Sequence, residues 1–195
     1  MKDVASMLYA HPASRTPRGI QLLFWDPRTA WIWFVARLYL GWQWFEAGRH
    51  KLTDDAWMDG GVALRGFWER AVAVPERGRP PITYGWYRDF LQHMLDHEWY
   101  DWFAKLIAIG ETAVGIALLA GAFVGVAALF GAFMNFNFLL AGTASTNPLL
   151  FALAILLLLA WRTAGSLGLD RVLLPAVGTP WAPGRLVRGG PRSSP

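Results

Sequence analysis

The chain of 195 residues is long enough for one domain, is 54% hydrophobic and only 16% charged, and carries twelve Trp and twelve Phe. Soluble domains average about 25% charged residues, and here the apolar surplus falls in discrete blocks, as in a polytopic membrane protein. A weak and scattered net charge of +4 gives no reason to expect a nucleic-acid partner. The absence of cysteine excludes a thiol relay, a disulfide, a thiolate-held iron–sulfur cluster and covalent haem.

Residues 1–28 are mixed and Pro-containing, with Arg15, Arg18 and Arg28. Within them Ile20–Trp25 is apolar but too short to cross a bilayer, which places it at the interface. No cleavable signal peptide is visible, so the first membrane helix is expected to act as an uncleaved signal. Asp26-Pro27 reads as a helix start, with proline in the first turn.

Thr29–Gly48 is the first predicted span, about 20 residues as a bilayer requires. It is interrupted by Arg37. Residues 49–99 hold seven Lys/Arg and eight Asp/Glu, too long a stretch for a bare loop. Leu64, Phe67, Trp68, Ala71 and Val72 follow helical spacing. So do the sets Trp86, Phe90, Met94 and Tyr87, Leu91, Leu95. The spacing predicts two short amphipathic helices that lie on the membrane or cap a bundle, broken between them by residues 75–81.

From Leu106 to Ala141 the chain is almost continuously apolar. A single helix of that length would reach about 54 Å, against a hydrocarbon core of about 30 Å. It must fold back, and Gly121 and Gly125 mark the hairpin. A second span near 101–121 and a third near 124–142 follow. After the break at 143–148, a fourth begins near Pro148. Residues 170–195, rich in Pro, Gly and Arg, are expected to be loosely ordered. The expected fold is therefore all-α: a four-helix transmembrane bundle with a helical extramembrane cap between helices one and two. Its parts are an N-terminal segment (1–28), a membrane domain (29–168, including the 49–99 cap) and a basic tail (169–195). Both basic termini are expected in the cytoplasm, by the positive-inside rule, with the protein in the plasma membrane.

The charges inside the spans point to a site. Arg37, Gly41, Trp44, Gly48 and Lys51 share one face of the first span. Glu111 interrupts the second. An acidic residue at bilayer centre costs roughly 2.5–3.5 kcal/mol on insertion scales. Placed at mid-span on antiparallel neighbours, Arg37 and Glu111 are expected to pair. The alternative is that Arg37 snorkels while Glu111 is protonated. A pair that only fixes helix packing also stands open. On the third span, Asn135 shares a face with Gly131 and Ala132 and is expected to reach the polar centre. Asn137 faces the other way. His93 and His97, four apart, have metal-ligand spacing, but two histidines do not make a site and no metal is predicted. No histidine lies within a span, so no membrane haem is predicted either. Aromatics including Trp57, Trp86, Trp99 and Trp102 form an interfacial belt, with stacking of a quinone ring as a second use.

Arg37–Gly41 (RLYLG), Gly48–Leu52 (GRHKL), Glu111–Gly115 (ETAVG) and Leu118–Gly121 (LLAG) together resemble the DoxX family. Within it they are most similar to the DoxD-like membrane subunits of thiosulfate:quinone oxidoreductase. The resemblance covers residues 29–165. It implies a four-helix membrane bundle and, for some members, electron transfer from a sulfur compound to quinone beside a second oxidoreductase subunit or soluble redox protein. On that reading Arg37 and Glu111 are the catalytic candidates. Trp44, Lys51, Asn135 and Trp102 are the substrate or quinone contacts, and Lys51, Arg49 or Arg79 would meet a small sulfur anion. Quinone is a diffusible acceptor there and membrane lipid a partner. The alternative is a non-catalytic membrane anchor or assembly partner of a redox complex.

Overall fold

In a computed structural model that describes residues 17–179 and 182–188, the chain is all-α apart from one small hairpin. In chain order the helices are α1 (Arg18–Trp25), α2 (Ala30–Leu52), α3 (Asp55–Met58), α4 (Val62–Val72), α5 (Gly85–Asp96), α6 (Tyr100–Ala120), α7 (Val124–Leu140), α8 (Asn147–Leu159), α9 (Trp161–Gly165), α10 (Asp170–Val177) and α11 (Arg185–Arg188). The hairpin pairs β1 (Gly178–Thr179) with β2 (Ala182–Pro183) in antiparallel register, Gly178 opposite Pro183.

Local chemistry sets the boundaries. The Asp26 carboxylate accepts from the Arg28 amide at 2.8 Å, and Pro27 opens the short 3-10 turn that leads into α2. The Asp54 carboxylate accepts from the Ala56 amide at 2.9 Å and starts α3. At the far end of α6 the chain turns at Gly121 (φ 69°) and Phe123 (φ 49°). The first is an ordinary left-handed glycine cap. The second is uncommon for a bulky residue and has a specific cause, given below.

The long helices α2, α6, α7 and α8 share one core built from Leu40, Trp44, Leu118, Ala128, Ala154, Leu157 and their neighbours. Close approach of α2 and α6 fixes their register. Gly41 lies against Leu118 and Leu119, Gly115 against the Phe45 backbone, and Gly48 against the Thr112 backbone. Side chains at these glycines would drive the helices apart. A second core joins α4 and α5 to the start of α6 and the end of α7, through Leu64, Trp68, Ile82, Tyr87, Leu91, Met94, Ala104 and Ala141. The Tyr87 hydroxyl donates to the Asn137 carbonyl at 3.1 Å. The faces expected for the two cap helices are the ones buried, except that Trp86 and Phe90 point outward.

Two expectations change. Among the described residues only α6, at 21 residues and mean hydropathy 1.8, is long and apolar enough to cross a membrane. The apolar α7 and α8 have 17 and 13 residues, and α2 is diluted by its charges. The segment 170–188 is ordered into elements where it is described: the buried Asp170 ties α10 to the turn between α6 and α7, and the hairpin and α11 pack against α10. The parts of the terminal segments at 1–16 and 189–195, Arg15 among them, lie outside the described residues.

Candidate functional site

The register of α2 and α6 decides which charges meet. With Gly48 opposite Thr112, Lys51 comes level with Glu111, and its Nζ donates to Glu111 Oε2 at 2.6 Å. Glu111 is 1% exposed, while the Lys51 side chain is 20% exposed. The pair therefore reaches from the core to the base of the cap, where Lys51 Nζ also lies 5.0 Å from the centre of the Trp57 ring.

The expected Arg37–Glu111 pair does not form. Arg37 faces the other end of α6, beside Gly121. That is ten residues beyond Glu111, about 15 Å along a helix. Glycine contacts lock the two helices in a register that sets Arg37 and Glu111 at different depths, so mid-span position alone does not pair them. Arg37 is fully buried, and its guanidinium donates to the carbonyls of Leu118 at 2.5 Å, Leu119 at 3.3 Å and Leu167 at 3.1 Å. The first two belong to the last turn of α6, where the Leu118 carbonyl also accepts from the Gly121 amide at 3.2 Å and the helix dipole favours a cation. Arg37 thus closes a helix end, and its Nε keeps no partner.

Asp170 completes that closure. Its two oxygens accept from the amides of Phe123 at 2.5 Å and Val124 at 2.9 Å, capping the start of α7 from a distant part of the chain. The Asp170 and Leu169 amides return bonds to the Gly121 and Ala120 carbonyls at 2.8 Å and 3.2 Å. These bonds hold the turn in the conformation that gives Phe123 its positive φ. Burial pushes the Asp170 carboxyl up, and the two amides and Arg37 offset only part of that rise. Sequence reading passed over Asp170, whose only signal is a lone carboxylate between Leu169 and Arg171.

Two further buried side chains with unpaired polar atoms, Trp44 and Asn135, lie on the Glu111 side of Arg37. Gly131 of α7 lies against Trp44 Nε1 and Val114, and Gly110 lies against Met134. By that register α7 runs antiparallel to α6 and brings Asn135 level with Glu111. Asn135 is 0% exposed, yet neither its Nδ2 nor its Oδ1 has a partner, and the same holds for Trp44 Nε1. An unpaired buried polar group costs about 1–3 kcal/mol. Two such side chains within about a helical turn of Glu111 along the bundle offer polar atoms that a ligand could bond.

Trp102 stands apart. It is half exposed, packs against Trp99 and Phe103, and lies nine residues before Glu111. Arg49 is engaged by Glu46 at 2.7 Å, and Lys51 by Glu111, so of the three proposed anion contacts only Arg79 is exposed without an ion pair among the described residues. The His93 and His97 rings are 4.0 Å apart, and His97 Nδ1 lies 2.8 Å from the His93 carbonyl. No cluster of three or more His, Asp or Glu suited to a metal occurs among the described residues.

No family profile, curated protein or solved structure matches the chain.

Proposed function

We propose that the chain is a DoxX-type integral membrane subunit of a quinone-linked oxidoreductase, with Lys51, Glu111, Trp44 and Asn135 as its quinone site. The observation that carries this reading is the part-buried Lys51–Glu111 pair, with Asn135 level with Glu111 and Trp44 Nε1 about one helical turn away, both side chains holding buried polar atoms that lack partners. A quinone offers two carbonyl oxygens on an apolar ring. Trp44 Nε1 and Asn135 Nδ2 are donors suited to those oxygens, and the surrounding core is apolar.

Reduction to the quinol needs two electrons and two protons. Glu111 is placed to carry a proton inward, with Lys51 as its partner toward the cap. The electrons come from a small sulfur compound. Two thiosulfates joined through a new S–S bond release two electrons, which balances one quinone, either at this chain or at a second subunit. In this reading Arg37 is a positioning residue for the bundle and not a catalytic one.

The membrane setting is part of the proposal. It has α2, α6, α7 and α8 crossing as a four-helix bundle, residues 49–99 as an outer cap and both termini in the cytoplasm. Leu106, Ile109, Ile116, Phe130, Phe133 and Leu159 are exposed around these helices. So large an apolar girdle suits lipid.

The test is reduction of a short-chain quinone by thiosulfate, using protein purified in mild detergent. Turnover by the chain alone, with Glu111→Gln lowering it at least about tenfold as loss of a proton carrier does, is the expected result. Turnover that needs a co-purifying protein, and is unchanged by Glu111→Gln, assigns the chain the anchoring role instead. Reporter fusions at Pro80 and at the C-terminus should report opposite sides of the membrane.

A further inference from the structure

The two ends of the helical unit differ in charge. Residues 49–105 around the cap hold eight basic and nine acidic side chains. At the other end, residues 17–30 and 160–186 supply Arg18, Arg28, Arg162, Arg171 and Arg185 against two carboxylates, Asp26 and Asp170. Both carboxylates are occupied by backbone amides. Arg18, Arg28, Arg171 and Arg185 are exposed, and none forms an ion pair among the described residues.

Apolar side chains stand among these arginines. α1 buries none of its residues and exposes Ile20, Leu22 and Leu23. Val172 of α10 and Leu186 of α11 are 69% and 76% exposed. α1 is nevertheless docked, because the Trp33 indole donates to the Leu23 carbonyl at 2.7 Å and the Thr163 hydroxyl to the Phe24 carbonyl at 2.6 Å. The exposed faces therefore belong to a fixed surface. Arginine next to outward-pointing aliphatic side chains is the chemistry of a surface that meets phosphates and acyl chains together. A soluble polyanion would have no use for the apolar half.

We infer that this end binds the headgroups of anionic phospholipids through Arg18, Arg28, Arg171 and Arg185, with α1 and the exposed side chains of α10 and α11 set into the adjoining acyl layer. The inference rests on the membrane reading and adds a headgroup preference to it. Charge complementarity selects the anionic lipid, and the balanced charge of the cap gives that end no such preference.

The experiment uses the full chain in mild nonionic detergent, titrated separately with phosphatidylglycerol, phosphatidylcholine and heparin, with Tm and the lipids retained in native mass spectra as readouts. Phosphatidylglycerol should raise Tm by several degrees more than phosphatidylcholine and remain bound in the spectra. The variant R18Q/R171Q/R185Q should lose that increment, while the cap variant R70Q/R77Q/R79Q keeps it. If the triple variant does not fold, R18Q and R185Q singly, both on exposed helical positions, should each lower the increment. Equal stabilisation by both lipids, loss of the increment in the cap variant, or stabilisation by heparin equal to that by phosphatidylglycerol would each overturn the inference. A chain that stays monodisperse without detergent would sink the membrane reading itself, a result distinct from a missing headgroup preference.

Discussion

Two inward-facing cations of α2, the buried Arg37 and the half-buried Lys51, are handled in opposite ways. At the cap end, Lys51 meets a carboxylate, and the neighbouring Trp44 and Asn135 are left with unpaired polar atoms. At the other end, Arg37 meets backbone carbonyls that a helix terminus leaves over, with the buried Asp170 nearby capping the next helix. A set of partners that is closed except at Arg37 Nε stabilises a fold. An incomplete set, in an interior where each unpaired group carries a cost, is where a ligand can bind. The difference gives Arg37 a structural role and makes the Lys51–Glu111 end the one to test for a ligand.

The largest expected effect is at the closed end. Arg37→Leu strands the carbonyls of Leu119 and Leu167, removes one of two donors to the Leu118 carbonyl and leaves Asp170 without its cation, a loss of about 3–5 kcal/mol by analogy with broken buried pairs. Thermal unfolding in detergent reads it, and a near-unchanged Tm would refute the closing role. Lys51→Met should cost about 3 kcal/mol by leaving Glu111 alone, and Lys51→Met with Glu111→Met should recover most of it. The corresponding cycle between Arg37 and Glu111 should be additive within about 0.5 kcal/mol, because the two share no partner. Coupling there would mean the register described above is wrong.

Smaller changes sharpen the contrast. Gly48→Ala pushes a methyl into the Thr112 backbone and should cost about 1–3 kcal/mol as overpacking does. It should also weaken the Lys51–Glu111 contact more than the Arg37 end. Asn135→Leu should leave stability unchanged or slightly raised, since it removes an unpaired polar group, while abolishing binding of a short-chain quinone. Tyr87 gives the smallest effect. Burial raises its phenol from 10.0 to about 12. A raised folded value means that this contribution is intact below pH 10 and is lost as pH climbs toward 12. Tyr87→Phe should flatten that alkaline decline in an unfolding series.

The helices were legible in the sequence because apolar periodicity and breakers are local signals. The starts at Asp26 and Pro148, the turn at Gly121 and the buried faces of Leu64–Trp68 and Tyr87–Leu91 followed from them. Pairing across helices was not legible by the same route. Lys51 stood on the predicted face with Arg37, Gly41, Trp44 and Gly48, yet which of its cations met Glu111 depended on a register fixed by glycine contacts between two helices. Gly115 opposite Phe45 and Gly48 opposite Thr112 were present as residues, but nothing local says which glycine meets which neighbour. Asn135 was placed correctly on the packed face, because small residues mark close approach. Asp170 escaped because its partners lie about fifty residues earlier in the chain, in a turn whose own sequence calls for no carboxylate.

That long-distance cap has a consequence for the order of assembly. During synthesis the hairpin of α6 and α7 is made well before Asp170, so the first amides of α7 wait for the end of the chain. The hairpin can form early, but its turn locks only when residues 167–170 arrive and Arg37 gains its last carbonyl. A ribosome stalled before residue 170 would hold a nascent chain with every long helix made and the latch between them still open.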